Sequence, residues 1–207
     1  MSTKADIQRN DFSSKTDLQA AIIECLKLSN DCSKSPHGPI GSWDVSTVTD
    51  MSWLLYEEKT FTGDISEWDV ASVTDMSNIF SYASSFNGDI SKWDVSRVTD
   101  MEEMFFGALS FNGDISKWKV SRVTKMPGMF ASASLFNADI SKWDVSRVND
   151  MEKMFSGALS FAQTLCGAWL TSTADKDGMF DGSSGRICTK SASSSTTTAT
   201  SNSMTTL

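Results

Sequence analysis

The residues of this 207-residue chain that could do chemistry are few, and the four cysteines are the first of them. They stand in two groups near the two ends of the chain, Cys25 with Cys32 and Cys166 with Cys188. Four cysteines allow three pairings, and the local pairing, with one disulfide in each group, is favoured. The second bridge would close about 23 residues and contribute about 3 kcal/mol in the chain-entropy model. A buried free thiol is the alternative for Cys25, and disulfides would indicate an oxidising compartment.

The residue patterns that catalysis requires are missing from the chain. The single histidine, His37, lies between Pro36 and Pro39 in a predicted loop, and a nucleophile–base pair with Cys32 is disfavoured. The sequence has no glycine-rich phosphate loop, no Cys-x-x-Cys, no His-Glu-x-x-His and no Gly-x-Ser-x-Gly. We therefore predict that the protein is not an enzyme and has no catalytic residues, no cofactor and no metal ion.

The charge balance excludes two classes of partner. Eighteen lysines and arginines stand against 26 aspartates and glutamates, which gives a net charge of −8 and a pI of about 4.6. Nucleic acids and anionic membrane surfaces both require a basic protein face. No apolar run approaches the ~18 residues of a membrane span. The polar segment Met1 to Asp11 also lacks the apolar middle of a secretory signal.

The positions of all remaining candidates follow from an internal repeat of 25 residues. Isoleucine, valine, methionine and phenylalanine recur with this spacing, and so does tryptophan, at Trp43, Trp68, Trp93, Trp118 and Trp143. A degenerate sixth unit keeps the register through Leu165, Met179 and Phe180. One unit cannot enclose its own apolar side chains, so such units bury them by stacking on their neighbours.

The spacing inside one unit predicts the local structure. Residues 92–96 follow the alternation of a short strand, which would pair in parallel with the same segment of the next unit. Thr99 or Asp100 could cap a short helix, whose apolar face would comprise Met101, Met104, Phe105 and Ala108. We therefore predict an α/β fold, a leucine-rich-repeat-like solenoid with short parallel strands, short helices and a helical N-terminal cap.

The two ends of the stack need covers. An amphipathic helix from Asp17 to Leu28, capped by Ser14 or Thr16, would cover one end, with Trp53 and Tyr56 packed beneath it. Trp169 breaks the period and would close the other end. The predicted organisation is a disordered N-terminus at 1–13, a helical cap at 14–37, five repeats at 38–162, a degenerate repeat with a C-terminal cap at 163–190, and a Ser/Thr-rich disordered tail at 191–207.

The outward face of the predicted strands is the candidate ligand-facing surface. It comprises Asp44, Glu67, Asp69, Lys92, Asp94, Lys117, Lys119, Lys142 and Asp144. These side chains form either a mixed-charge recognition surface or a solvated face that keeps the protein soluble. The turn residues Asp64, Asp89, Asp114 and Asp139, with Asn87, Asn112 and Asn137, are expected to bond their own backbone rather than Ca²⁺. Phe106 is expected to be a single exposed aromatic residue.

The unit that runs from Asn87 to Met101 and closes with Met104, Phe105 and Ala108 closely resembles the BspA-like leucine-rich repeat surface proteins. That family includes the mycoplasma-lipoprotein-type repeat of unknown function. The motifs Trp-Asp-Val, Val-Thr-Asp-Met and Met-Phe recur together over residues 38–180 and carry the resemblance. It implies a leucine-rich-repeat-like solenoid, an extracellular location, members that act as adhesins or protein binders, and no catalytic residues.

Together these observations predict a non-catalytic repeat scaffold. The favoured function is a surface or secreted binding module that contacts a protein or a glycan through the polar strand face, with no nucleic acid as partner. The alternative is a structural spacer or an intracellular interaction scaffold without a specific extracellular ligand.

Overall fold

Regular secondary structure is sparse in the computed structural model, which describes residues 11–189. Within that range helix α1 is Lys15–Leu26, helix α2 is Ala168–Thr171, and a 3-10 turn covers Ile40–Ser42. Strands β1 (Thr164–Leu165) and β2 (Arg186–Ile187) pair in parallel as a two-stranded sheet. The predicted α/β solenoid of leucine-rich-repeat type is therefore wrong, because residues 43–163 fold as turns and irregular chain rather than as short helices and strands.

The predicted helices are replaced by turn segments, the name used here for residues 51–58, 76–83, 101–108, 126–133 and 151–158. In the third segment alternate backbone N–H groups donate to the next unit: Met101 to the Lys125 carbonyl, Glu103 to Pro127, Phe105 to Met129 and Gly107 to Ala131, at 2.8–3.0 Å. Between them, the Met104 and Phe106 N–H groups donate three residues back along the chain, and the Glu102 N–H donates to the Asp100 carboxylate. An α-helix would send each N–H four residues back, so the neighbouring unit takes half of the bonds that a helix would make.

A left-handed backbone at every fourth residue prevents the segments from becoming helices. The third and seventh residues of each segment, and their equivalents in the sixth unit, have φ between 49° and 71°. These positions are Trp53, Glu57, Asn78, Tyr82, Glu103, Gly107, Gly128, Ser132, Lys153, Gly157, Gly178 and Gly182. Such a φ costs a residue with a Cβ roughly 1–2 kcal/mol. The hydrogen bonds between units offset that cost.

The predicted strands are absent as well. Around residues 92–96 the Trp93 N–H donates to the Ile90 carbonyl and the Val98 N–H to Val95, which are turn bonds. Parallel bridges between units are single residues, placed directly before each repeated methionine. They join Asp50, Asp75, Asp100, Lys125, Asp150 and Asp175 in sequence.

The interior of the stack contains the apolar side chains that recur every 25 residues. The repeated tryptophans, valines, methionines and phenylalanines are all 0–4% exposed, which confirms the predicted core. From Trp68 onward, each indole N–H of this column also donates to an isoleucine carbonyl of the preceding unit, as Trp118 does to Ile90 at 3.1 Å. Trp169 lies one residue out of period, yet it donates to Ile140 in the same way at 3.2 Å.

Helix α1 covers the N-terminal end and begins and ends two residues before the predicted bounds. The Ser14 hydroxyl accepts from the Asp17 N–H at 3.2 Å, which satisfies one free donor of the first turn. The buried stripe is Leu18, Ala21, Ile22 and Cys25. Just before the helix, the Phe12 ring packs on Trp43, with ring centroids 4.9 Å apart.

Disulfides join Cys25 to Cys32 and Cys166 to Cys188, the two local pairings that the sequence favours. Their Cα atoms are 4.9 and 5.1 Å apart. One bridge fixes the chain after α1, and the other lies next to the β1–β2 pair, so each stabilises one end of the stack. The division into five predicted regions stays a prediction, and residues 1–10 and 190–207, which include the predicted tail, lie outside the described residues.

Candidate binding surface

The nine predicted ligand-facing residues are all exposed, but they lie on turns. The carboxylates of Asp44, Asp69, Asp94 and Asp144 accept from the backbone N–H two residues later at 3.0–3.1 Å. Lys92 lies 2.7 Å from Glu67, with both side chains about two-thirds exposed. The aspartates therefore already have a structural role in their own turns. Contact between these nine residues and a ligand stays a prediction.

The turn aspartates behave as the hydrogen-bonding interpretation predicts. Asp64, Asp89, Asp114 and Asp139 each accept from the N–H of the serine two residues later at 2.9–3.0 Å. The expectation for the asparagines is wrong, because they bond to the next unit. Asn87 Oδ1 accepts from the Asn112 N–H at 2.9 Å, and Asn112 Oδ1 accepts from Asn137 at 2.8 Å. Neighbours 25 residues away are closer partners for these side chains than their own turns.

These aspartates predict an acid-sensitive fold. Hydrogen bonds from serine N–H and hydroxyl groups lower the pKa of all four turn aspartates, and the Ser33 N–H is the largest cause that lowers the pKa of Asp31 to about 2. A carboxylate with a lowered pKa in the folded state stabilises the fold above its unfolded pKa of about 4, and this contribution is lost as the pH falls through its folded-state pKa, which is about 2 for Asp31.

We therefore expect the midpoint of thermal unfolding, followed by tryptophan fluorescence, to fall steadily between about pH 5 and pH 2. A variant with the four substitutions Asp64→Asn, Asp89→Asn, Asp114→Asn and Asp139→Asn keeps a side-chain oxygen in each turn. Its side chains at these positions do not titrate. Its unfolding midpoint should fall less steeply than that of the parent chain. An equal fall of the unfolding midpoint with pH in the two proteins would contradict the stabilising role of these four aspartates.

An aromatic strip that sequence reasoning missed crosses the outer face of the first three turn segments. We define it as Trp53, Tyr56, Tyr82 and Phe106. Ring centroids are 4.8 Å apart for the first pair, 6.0 Å for Tyr56 and Tyr82, and 5.0 Å for the last pair. Trp53 is 45% exposed and Tyr82 39% exposed. The expectation that Trp53 and Tyr56 are covered by the N-terminal helix is therefore wrong for Trp53, and Phe106 is not a single aromatic residue.

The strip forms because each turn segment directs its side chains in pairs. Among residues 101–108 the first, fourth, fifth and eighth are buried, the second, third and sixth are partly exposed, and the seventh, Gly107, lies against the Tyr82 ring. The four aromatic residues occupy third, sixth and seventh positions of three successive segments. Successive units are joined by parallel backbone hydrogen bonds, which place neighbouring chains about 4.8 Å apart. Side chains that are about 25 residues apart in the sequence therefore meet. The sequence does contain a signal for the strip, because these four bulky aromatic residues replace small or polar residues at outward positions.

Gly107 makes room for the Tyr82 ring. Its φ is +64°, and a Cβ there would lie 2.9 Å from Tyr82 Cδ1. Gly157 occupies the equivalent position two units later with a φ of +69°, but a Cβ there would meet nothing closer than Ser132 Oγ at 3.4 Å.

We expect Gly157→Ala to lower the free energy of unfolding by about 1 kcal/mol, the cost of the left-handed φ. Gly107→Ala should lower it by about 2–3 kcal/mol, because the ring must also move. Denaturant unfolding of both variants measures the difference. Equal losses would show that Tyr82 does not rest on Gly107.

Acidic side chains flank the strip. A hydrogen bond with the Glu57 carboxylate is the main cause that raises the pKa of Tyr56. Burial, followed by the neighbouring Glu102 carboxylate, raises the pKa of Glu103. Among residues 11–189 neither Glu102 nor Glu103 forms an ion pair, while Lys125 binds Asp100 and Lys153 binds Glu152.

The strip continues into a groove of about 610 Å³ on the same face. Glu103 and Phe106 line its near end, and the small residues Gly128, Ala131 and Ser132 line its middle. The outer face therefore changes from bulky aromatic side chains in the first three units to a shallow channel in the next two.

Two buried polar atoms lie inside the same face. Asn78 is 4% exposed and Ser81 0% exposed, and neither Asn78 Oδ1 nor Ser81 Oγ has a hydrogen-bond partner among residues 11–189. Asn78 occupies the third position of its segment, between Trp53 and Glu103, and Ser81 the sixth, between Tyr56 and Phe106. An unsatisfied buried polar group costs about 1–3 kcal/mol. The centre of the strip therefore carries hydrogen-bonding capacity that the protein itself does not use.

The remaining candidates stay separate from this face. His37 Nε2 lies 3.6 Å from Glu24 Oε2 near the N-terminal cap, and Cys32 is engaged in its disulfide. Across the part of the chain that the structure describes, no group of three histidine, cysteine or acidic side chains is placed to hold a metal ion. Neither α1 nor α2 is long and apolar enough to cross a membrane.

Comparison with known proteins places these repeats in a family. The family model described as Mycoplasma protein of unknown function, DUF285, matches residues 23–123 and again residues 91–189. The chain belongs to this family. The match agrees with the mycoplasma-type repeat recognised in the sequence, and it does not single out the BspA-like proteins. No curated protein and no solved structure matched the DUF285 chain in the same comparisons.

Proposed function

We propose that this DUF285 chain is a non-catalytic repeat scaffold that binds a protein or glycan ligand, as a surface or secreted module of BspA-like type. The aromatic strip is the observation that carries the proposal. Aromatic side chains dominate the energetics of interfaces, and these four are held in mutual contact on the outer face rather than in the core. The disulfide at each end of the stack is typical of proteins in oxidising compartments.

The backbone supports the same role. Hydrogen bonds between successive units hold each outward side chain at a fixed position relative to its neighbours. Such a surface loses little conformational entropy when a ligand binds. Variation among units at the outward positions supplies the selectivity.

A binding screen with matched variants tests the proposal. The full chain is screened against purified extracellular matrix proteins and a glycan array, together with a strip variant, Tyr82→Ala with Phe106→Ala. The control variant is Lys117→Ala with Lys142→Ala on the predicted polar columns. We expect the affinity for a ligand to fall at least about tenfold in the strip variant and to stay within about twofold in the control.

Two other outcomes have a definite meaning. Loss of binding in the control variant alone would show that the polar columns, and not the strip, form the contact surface. Absence of any ligand across both panels would overturn the binding proposal and leave the structural spacer as the better description.

A further inference from the structure

The chemistry around the strip narrows the class of ligand. Glu103 supplies a partly buried carboxylate without an ion-pair partner among the described residues, and it lines the groove together with Phe106. The lysines that line the same groove, Lys125 and Lys153, are already paired with Asp100 and Glu152. The unpaired charge beside the strip is therefore negative.

The ring geometry points to the same class. Tyr56 and Tyr82 are nearly perpendicular, at 87°, and Tyr82 and Phe106 cross at 72°. Rings inclined in this way do not form one flat platform for a row of sugar rings. Their edge-to-face contacts leave Trp53 and Tyr82 partly exposed, and the exposed face of an aromatic ring attracts a cation.

We propose that the aromatic strip docks an arginine side chain from a basic, extended segment of a partner protein. This inference rests on the proposed binding function. A guanidinium group is planar and stacks on aromatic faces, and its donors can bond the Glu103 carboxylate, which lines the groove together with Phe106. The adjoining groove provides room for the chain on one side of the arginine. The net charge of −8 attracts such a segment at long range.

Calorimetric titration of the full chain with four probes tests this assignment. The first is a capped octapeptide of alternating glycine and arginine. The second has citrulline, a neutral analogue of the same shape, in place of arginine, and the third has lysine. The fourth is chitotetraose, a neutral glycan. We expect the arginine peptide to bind at least about tenfold more tightly than the citrulline peptide, and more tightly than the lysine peptide.

Substitutions locate the binding. We expect Tyr82→Ala with Phe106→Ala to weaken binding of the arginine peptide at least about tenfold, and Glu103→Gln to weaken it about fivefold. The control Glu67→Gln removes the same charge from an exposed position outside the strip and groove, and should change the affinity less than about twofold.

The four probes also distinguish failure of the arginine site from failure of the proposed binding function. Equal affinities for the arginine and citrulline peptides, or undiminished binding by the Tyr82→Ala, Phe106→Ala protein, would overturn the arginine site. Chitotetraose binding that this variant abolishes, without binding of the arginine peptide, would overturn the arginine site but support a binding scaffold. Failure of every probe here, together with an empty ligand screen, would overturn both.

Discussion

Replacing Trp118 with alanine is expected to lower the free energy of unfolding by about 3–5 kcal/mol. The indole is 4% exposed and lies in the fourth of the five units, with its ring centroid 6.4 Å from that of Trp143. Its N–H also bonds the Ile90 carbonyl of the preceding unit. The substitution therefore leaves a cavity and removes a contact between units, and rigid neighbours on both sides cannot close the gap.

Trp53→Ala provides the matched control, since it removes the same side chain from the aromatic strip, where it is 45% exposed. We expect it to change the free energy of unfolding by less than about 1 kcal/mol. Denaturant unfolding of both variants measures the two effects. Similar losses would contradict the division between the buried tryptophan column and the exposed strip.

Removal of the C-terminal disulfide by Cys166→Ala with Cys188→Ala is expected to lower the free energy of unfolding by about 3 kcal/mol. The bridge spans 22 residues and holds β1 beside β2, where the Cys188 N–H donates to the Leu165 carbonyl. Without it, the unfolded chain gains conformational freedom. The sheet at this end also loses its covalent link.

The N-terminal pair is the comparison, because its bridge spans only 7 residues. Cys25→Ala with Cys32→Ala should cost about 2.5 kcal/mol by the same entropic relation. Denaturant unfolding measures both variants, and trypsin cleavage after Arg186 reports local opening of the C-terminal end. A C-terminal variant with the parent's unfolding free energy and protease resistance would contradict a stabilising role for this bridge.

The turn segments show why the predicted helices failed. Met101, Met104, Phe105 and Ala108 are buried, as predicted. However, the spacing i, i+3, i+4, i+7 fits both one face of a helix and a run of four-residue turns that direct side chains in alternating pairs. The choice between them depends on whether an N–H bonds within the segment or to the next unit. That partner is 24 residues away and leaves no local signal.

The positions with a left-handed backbone could not be predicted from the sequence either, because different residue types occupy them in different units. Glycine would have marked them, yet the third position of the segments is occupied by Trp53, Asn78, Glu103, Gly128 and Lys153. Hydrogen bonds to adjacent units hold a conformation there that the residues themselves disfavour. A repeated glycine would have been visible in the sequence, whereas a repeated φ was not.

The sequence alone determined the period, the buried columns and the aspartate turns, and it left the pairing of the cysteines open. Each of these depends on spacing along the chain, because burial follows the repeat and the turn bonds link residues two apart. The tertiary structure decided the backbone path within each unit and the juxtaposition of Trp53, Tyr56, Tyr82 and Phe106. Both depend on contacts between units, where residues about 25 apart in sequence become neighbours about 5 Å apart in space.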